Sequence, residues 1–141
     1  MATSAFYFCD KFIDDLGLKV HNLNTDTIVA MLSNTTPNMA TMQTTADFTE
    51  LSTGGGYTAG GQDTLNTYTA SAGTGACVGT DITWTSSGGG FGPFRYVYLV
   101  NTTASNKIVG VFDYAAAISP SGGETFVTDF GATMFTVPKS A

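Results

Sequence analysis

One histidine, two cysteines and a few acidic residues are the side chains here that could do chemistry. Any Ser-His-Asp relay or imidazole-based metal cluster has to be built on His21. It lies in the polar stretch KVHNLNTDT, which reads as a connection, and catalysis is not expected there. Cys9 and Cys77 with one histidine fall short of the four ligands of a structural zinc site, and no C-x-x-C occurs. Asp113, Glu124 and Asp129 lie on or near late strands, where a pair of carboxylates could flank a glycosidic bond. Asp14, Asp15 and Asp26 offer oxygen ligands for calcium, but EF-hand spacing is missing. The expectation for all six is solvation or turn capping.

Gly54, Gly56 and Ala59 match G-x-G-x-x-A, yet a dinucleotide site needs a helix N-terminus next to hold the pyrophosphate. Gly60, Gly61 and a threonine-rich, strand-like segment follow instead, and no lysine completes a phosphate loop. These glycines read as an extended loop able to take positive φ and cross a surface. Tyr57, Tyr68, Trp84, Phe91, Tyr96 and Tyr98 could line a sugar platform, but at strand spacing core packing is the expected role. No catalytic residue, cofactor or metal is therefore assigned.

The elements that must position these residues follow from pattern. The chain has 141 residues, enough for one domain with a modest core. Only 11% of residues are charged, and threonine, serine, glycine and asparagine fill the polar positions, which suits β-structure with tight turns. A helix is expected over 4–19, with Ser4 as N-cap, Phe8, Phe12, Ile13 and Leu16 on its apolar face and Gly17 as its stop. Strands are expected at 26–34, 64–70, 76–85, 94–100, 107–114, 124–130 and 133–138, with a short strand or helical turn at 46–53. NTTASN (101–106) reads as the turn of a hairpin pairing 94–100 with 107–114 at the centre of a sheet. No segment is long enough for helical crossovers, so the prediction is an all-β, antiparallel sandwich or jelly-roll-like domain over 1–141 with one N-terminal helix or arm.

The net charge of −6, with five scattered basic residues, argues against nucleic acid and anionic lipid as partners. MATSAFYFCDKFIDDLG lacks the basic and apolar regions of a signal peptide, and no run approaches the roughly 18 apolar residues of a membrane span. Synthesis in a cytoplasm and free, buried cysteines are the expectation.

GGGFGPFRYVYLVN (88–101) places glycines and a proline before a strand that is apolar on both faces. Phe94, Tyr96, Tyr98 and Val100 alternate with Val97 and Leu99, so both faces of this strand need a cover. The helix or an opposing sheet is expected on one side and a sister subunit on the other. Phe6, Tyr7, Phe8, Tyr57, Phe91, Tyr96 and Tyr98 are accordingly the candidate interface residues.

Together with KFIDDLGLKVHNLNTDTIVAMLSNTTP, GGGYTAGGQ and KIVGVFDYAAAISPSGGETFVTDF, that stretch resembles small virion proteins of tailed bacteriophages. Within that group the layout is similar to capsid decoration, or cement, proteins, over Lys11 to about Phe135. The resemblance implies a module on the outside of the head, often a homotrimer, that clamps neighbouring major capsid protein subunits after expansion. It implies no active-site residues. The competing expectation is a tail or fibre component with a carbohydrate-binding surface.

Overall fold

The computed structural model describes residues 5–137. Its strands are β1 (Ala5–Phe8), β2 (Ile28–Ser33), β3 (Gln62–Asp63), β4 (Thr67–Ser71), β5 (Thr74–Val78) and β6 (Ile82–Thr85). They continue with β7 (Phe94–Asn101), β8 (Lys107–Ile118), β9 (Thr125–Thr128) and β10 (Phe135–Val137). One α-helix, α1 (Asp10–Gly17), and one 3-10 turn (Thr45–Asp47) complete the described elements. The fold is mostly β, with antiparallel sheets ordered β1–β8–β7–β2–β3, β10–β5–β4 and β6–β9.

The doubly apolar strand β7 is the middle of the five-stranded sheet, paired with β8 through the expected hairpin. Ser105 and Asn106 close that hairpin with φ of 56° and 57°, the left-handed pair that a tight hairpin turn uses. Register places Leu32, Val97, Phe112 and Phe6 in one row and Met31, Tyr98, Val111 and Tyr7 in the next. Adjacent rows point to opposite faces. On the first face Phe6 stacks on Phe135 at 5.5 Å and packs on Phe112, while Phe8 stacks on Phe12 of α1. The helix and β10 therefore cover this side.

The second face is covered from within the same chain. Phe48 stacks on Tyr98 with ring centroids 3.9 Å apart, and Tyr98 Oη donates to Thr35 O at 2.7 Å. Both partners belong to the connection between β2 and β3, which is laid down by backbone bonds. Leu51 N donates to Leu32 O, Ile108 N to Gln43 O, and Asp10 N to Met39 O. Its 3-10 turn is capped by Thr44, whose hydroxyl accepts from Ala46 N. Asp47 accepts from Gln43 N and Thr44 N, and these bonds hold its carboxyl below the usual range. Tyr98 is wholly buried and Tyr96 nearly so within the single chain, where a sister subunit was expected as the cover.

Three element boundaries depart from expectation. The helix expected over 4–19 is a strand followed by a shorter helix, and Ser4 lies outside the described residues. Phe6 and Phe8 alternate with the strand period and gain a ladder on β8, where Gly110 leaves room for the Phe6 ring. A Cβ on Gly110 would stand 2.4 Å from Phe6 Cζ. Cys9 is the N-cap, without a side-chain cap bond, and the left-handed residue after the helix is Lys19 (φ 63°) rather than Gly17. The strand expected over 76–85 splits at Gly79, which is pressed against Met134, and its halves join different sheets. β8 runs on to Ile118, bulging between the pairs Asp113–Tyr96 and Ile118–Phe94. Asp113 Oδ1 accepts from Ala115 N (φ 68°) inside that bulge, and both carboxylate oxygens pair with Arg95.

Candidate interaction surface

β7 has two dissimilar ends. At the Phe94 end three glycine-rich stretches converge: 52–61 (STGGGYTAGG), 86–93 (SSGGGFGP) and 119–123 (SPSGG). None of the three contains a charged residue. They meet backbone to backbone. Ser87 N donates to Gly55 O at 2.9 Å, Phe91 N to Pro120 O at 3.2 Å, and Ser86 N to Glu124 O at 2.8 Å. Ser86 Oγ also accepts from Gly123 N.

Two of these glycines are required by the approach itself. A Cβ on Gly55 would lie 1.8 Å from Gly90 O, and one on Gly90 would lie 1.9 Å from Pro120 O. Both also hold positive φ, of 61° and 80°. Beneath the loops Tyr57, Phe91, Phe94, Trp84 and Phe126 form one aromatic layer, with Phe94 edge-on to Phe126 at 4.7 Å. Tyr57 fastens the first loop to the sheet. Its hydroxyl donates to Glu50 Oε1 at 2.5 Å and accepts from Leu32 N, while Gly60 N donates to the same carboxylate oxygen. Burial and the Glu50 bond push the Tyr57 hydroxyl far up from its ordinary pKa, so it stays a donor.

The outer side of this end is shallow. One depression is lined by Leu51, Ser52, Gly54, Gly55, Gly90 and Gly92 with Phe91 at its floor, and encloses about 370 Å³. Ser52, Thr53, Thr58, Ser87, Ser119 and Ser121 are exposed there, on loops held to one another by backbone bonds. Such a surface can meet a partner over a broad area without stripping water from ions.

The expected interface residues separate into three groups. Tyr57 and Phe91 lie under the glycine loops, buried, and support the surface rather than form it. Tyr96 and Tyr98, expected at an interface, are buried in the core around β7 of the single chain. Phe6, Tyr7 and Phe8 are on β1, not on a helix; Phe6 and Phe8 are half-buried in the aromatic cluster and Tyr7 is 52% exposed. The sugar-platform residues Trp84, Tyr57, Phe91, Tyr96 and Tyr98 are likewise inside, and Tyr68 is half-buried. The convergence of the 86–93 and 119–123 stretches on 52–61 was not foreseen. Its only signal in the sequence was three clusters of Gly, Ser and Pro.

The residues weighed for chemistry are scattered or engaged. Asp113 pairs with Arg95, Glu124 accepts from Ser121 N, and Asp129 accepts from Gly131 N. Cys9 and Cys77 are free and buried. Burial pushes the Cys77 thiol up to about 12 and raises that of Cys9, whose Sγ donates to Met42 O at 2.7 Å. Among the described residues no group of three or more His, Cys, Asp or Glu is placed to hold a metal ion, and no helix is long and apolar enough to cross a membrane. Compared with protein-family models, curated proteins and solved structures, the chain matches none.

Proposed function

We propose that this chain is a phage capsid decoration, or cement, protein that binds the outside of the expanded head and bridges major capsid protein subunits. In this reading its sheets stack as a sandwich of jelly-roll-like type, it acts as a homotrimer, and it is made in the host cytoplasm. The observation that carries the reading is the Phe94 end of β7, where three loops that contain no charged residue are fixed by glycine-to-carbonyl packing. A binding surface preset in this way loses little conformational entropy on contact. It also matches the resemblance of 54–62, 88–101 and 107–130 to small virion proteins, because those segments build or feed the three loops.

The energetics follow. A contact of about 800 Å² per partner binds moderately by itself. Three linked copies engage three sites together, so avidity raises the affinity without new contacts. Binding only the expanded lattice stabilises that lattice by mass action.

Gly89 supplies the test, because it has no neighbour within 4 Å of an added Cβ and no positive φ. Gly89→Glu places a charge on the loops while leaving the fold intact. Purified wild-type protein should bind expanded heads and raise the temperature at which they leak DNA. The variant should melt like wild type yet bind at least about tenfold more weakly. Heads equally heat-stable with and without the protein would remove the cement role.

A further inference from the structure

We propose that His21, at the Asn101 end of β7, is an acid-sensitive latch that holds the 18–27 connection to the sheet and releases it on protonation. Asn101 Oδ1 accepts from Ala104 N at 3.0 Å, which orients the amide. Its Nδ2 therefore faces Asp26 Oδ2 at 2.7 Å and His21 Nδ1 at 2.9 Å. An amide nitrogen brings only hydrogens to these contacts, so Nδ1 is the acceptor and the ring proton sits on Nε2, an assignment made from the bonding network. His21 is 6% exposed and its ring lies 4.9 Å from that of Phe12. Nε2 has no hydrogen-bond partner, and it is the one such buried side-chain nitrogen or oxygen among the described residues.

The imidazolium form needs a proton on Nδ1, where Asn101 already points a hydrogen. Protonation therefore exchanges an acceptor for a donor against a donor and breaks the contact. The charges facing the ring are Asp15 of α1 and Asp26 of the connection, which favour the cation, and Lys107 of β8, which opposes it. Asp15 is itself held by Lys107 at 3.0 Å, and Lys19 lines the same surface depression as His21. Burial outweighs the carboxylates and holds the imidazole below its ordinary pKa. A lowered folded-state value means that the unfolded chain takes up the proton first as pH falls. The latch then stabilises fully above the ordinary histidine pKa of about 6.5 and is lost as pH drops through the folded value.

The segment it holds is a structural wall. Leu23, Asn22 and Asn24 of the connection, with Leu16, Lys19 and Tyr68, line a depression of about 350 Å³. The connection's other ties include Asn66 Nδ2 to Leu23 O and Asp26 O, Asn101 Nδ2 to Asp26 Oδ2, Thr27 N to Thr103 Oγ1, Thr102 N and Oγ1 to Thr27 O, and Val20 N to Asp15 O. Acid thus loosens one wall of that depression while the far end of β7, which has no histidine, stays closed.

The sole histidine makes the test direct, because the intact chain gives one imidazole signal to follow by NMR. At neutral pH the Nε2–H tautomer and a titration midpoint below about 6.5 are expected. Amide exchange, corrected for intrinsic rate, should rise in 18–27 and 101–107 between pH 7.5 and 5, and not in 86–93. His21→Asn puts a non-titrating carbonyl oxygen where Nδ1 stands. Its melting temperature should fall with acid by at least about 3 °C less than that of wild type. An Nδ1–H tautomer, a midpoint at or above the ordinary value, or equal pH slopes for the two proteins would overturn the latch. Should His21→Asn fail to fold, the wild-type tautomer and midpoint decide the matter alone.

Discussion

The two ends of β7 are closed by opposite means. At Phe94 the loops meet one another chiefly backbone to backbone, with glycines where any side chain would collide, and Tyr57 and Glu50 fasten the first of them. At Asn101 the closure is made by side chains: an amide reads a neutral imidazole and a carboxylate together, and an ion pair between Lys107 and Asp15 stands beside them. Backbone packing is insensitive to pH and intolerant of any added atom. A side-chain network tolerates modest changes of shape but depends on which atoms carry protons. One strand thus separates an end whose loops carry no charge and pack through glycines from an end closed around a histidine.

The largest effect should come from the strand that joins the two ends. Tyr98→Asp places an unpaired carboxylate between Phe48 and the sheet, at a site with no solvent exposure. The cost of several kcal/mol is comparable with the whole stability of such a domain. Circular dichroism should show an unfolded chain rather than a dissociated, folded one.

Next comes the rigid end. Gly90→Val meets Pro120 O and a φ of 80° and should cost about 3 kcal/mol or more by urea denaturation. Gly89→Ala, one residue earlier and in open space, should stay within about 0.5 kcal/mol of wild type. Equal costs for the two would show that the loops do not pack as described.

The polar end should give less. Asn101→Leu orphans His21 Nδ1 and removes the Asp26 contact, for about 1–3 kcal/mol at pH 7.5. The difference from wild type should shrink as pH falls through the lowered His21 value, where wild type loses the same bond.

The smallest effect is expected at Asp113→Asn. The Arg95 guanidinium holds the Asp113 carboxyl below its ordinary range. Its lowered folded value contributes stability above the unfolded pKa of about 3.9 that is lost as pH falls through the folded one. Both groups are partly exposed to solvent, so screening keeps this small. A slightly flatter acid limb in a pH melt, with little change at pH 7, is the expected reading.

Much of the sheet was legible because it rests on local pattern. The hairpin 94–114 announces itself through an apolar run, NTTASN and a second apolar run, and the register follows. The helix boundary was not legible, since Phe6, Phe8 and Phe12 satisfy a period of two and a period near four at once. Only the open ladder on β8 and the gap at Gly110 favour the strand. Of the interface residues, Tyr7 alone was both named from the sequence and found well exposed. Aromatic residues at strand spacing do not say which face is covered or by what. The cover for Tyr98 came from Thr35 and Phe48 in a turn-rich connection, a segment whose composition signals only that it is not regular.

Residue order alone dictated that this chain makes strands, that 94–100 is central, and that its glycine clusters must turn sharply. These are properties of neighbours a few positions apart, carried by side-chain period and allowed φ. Which loops meet, which tyrosines are hidden, and which proton His21 carries were decided by contacts between residues up to 80 positions apart. Such contacts form only when the folded chain brings their atoms within bonding distance, and no local pattern encodes that distance.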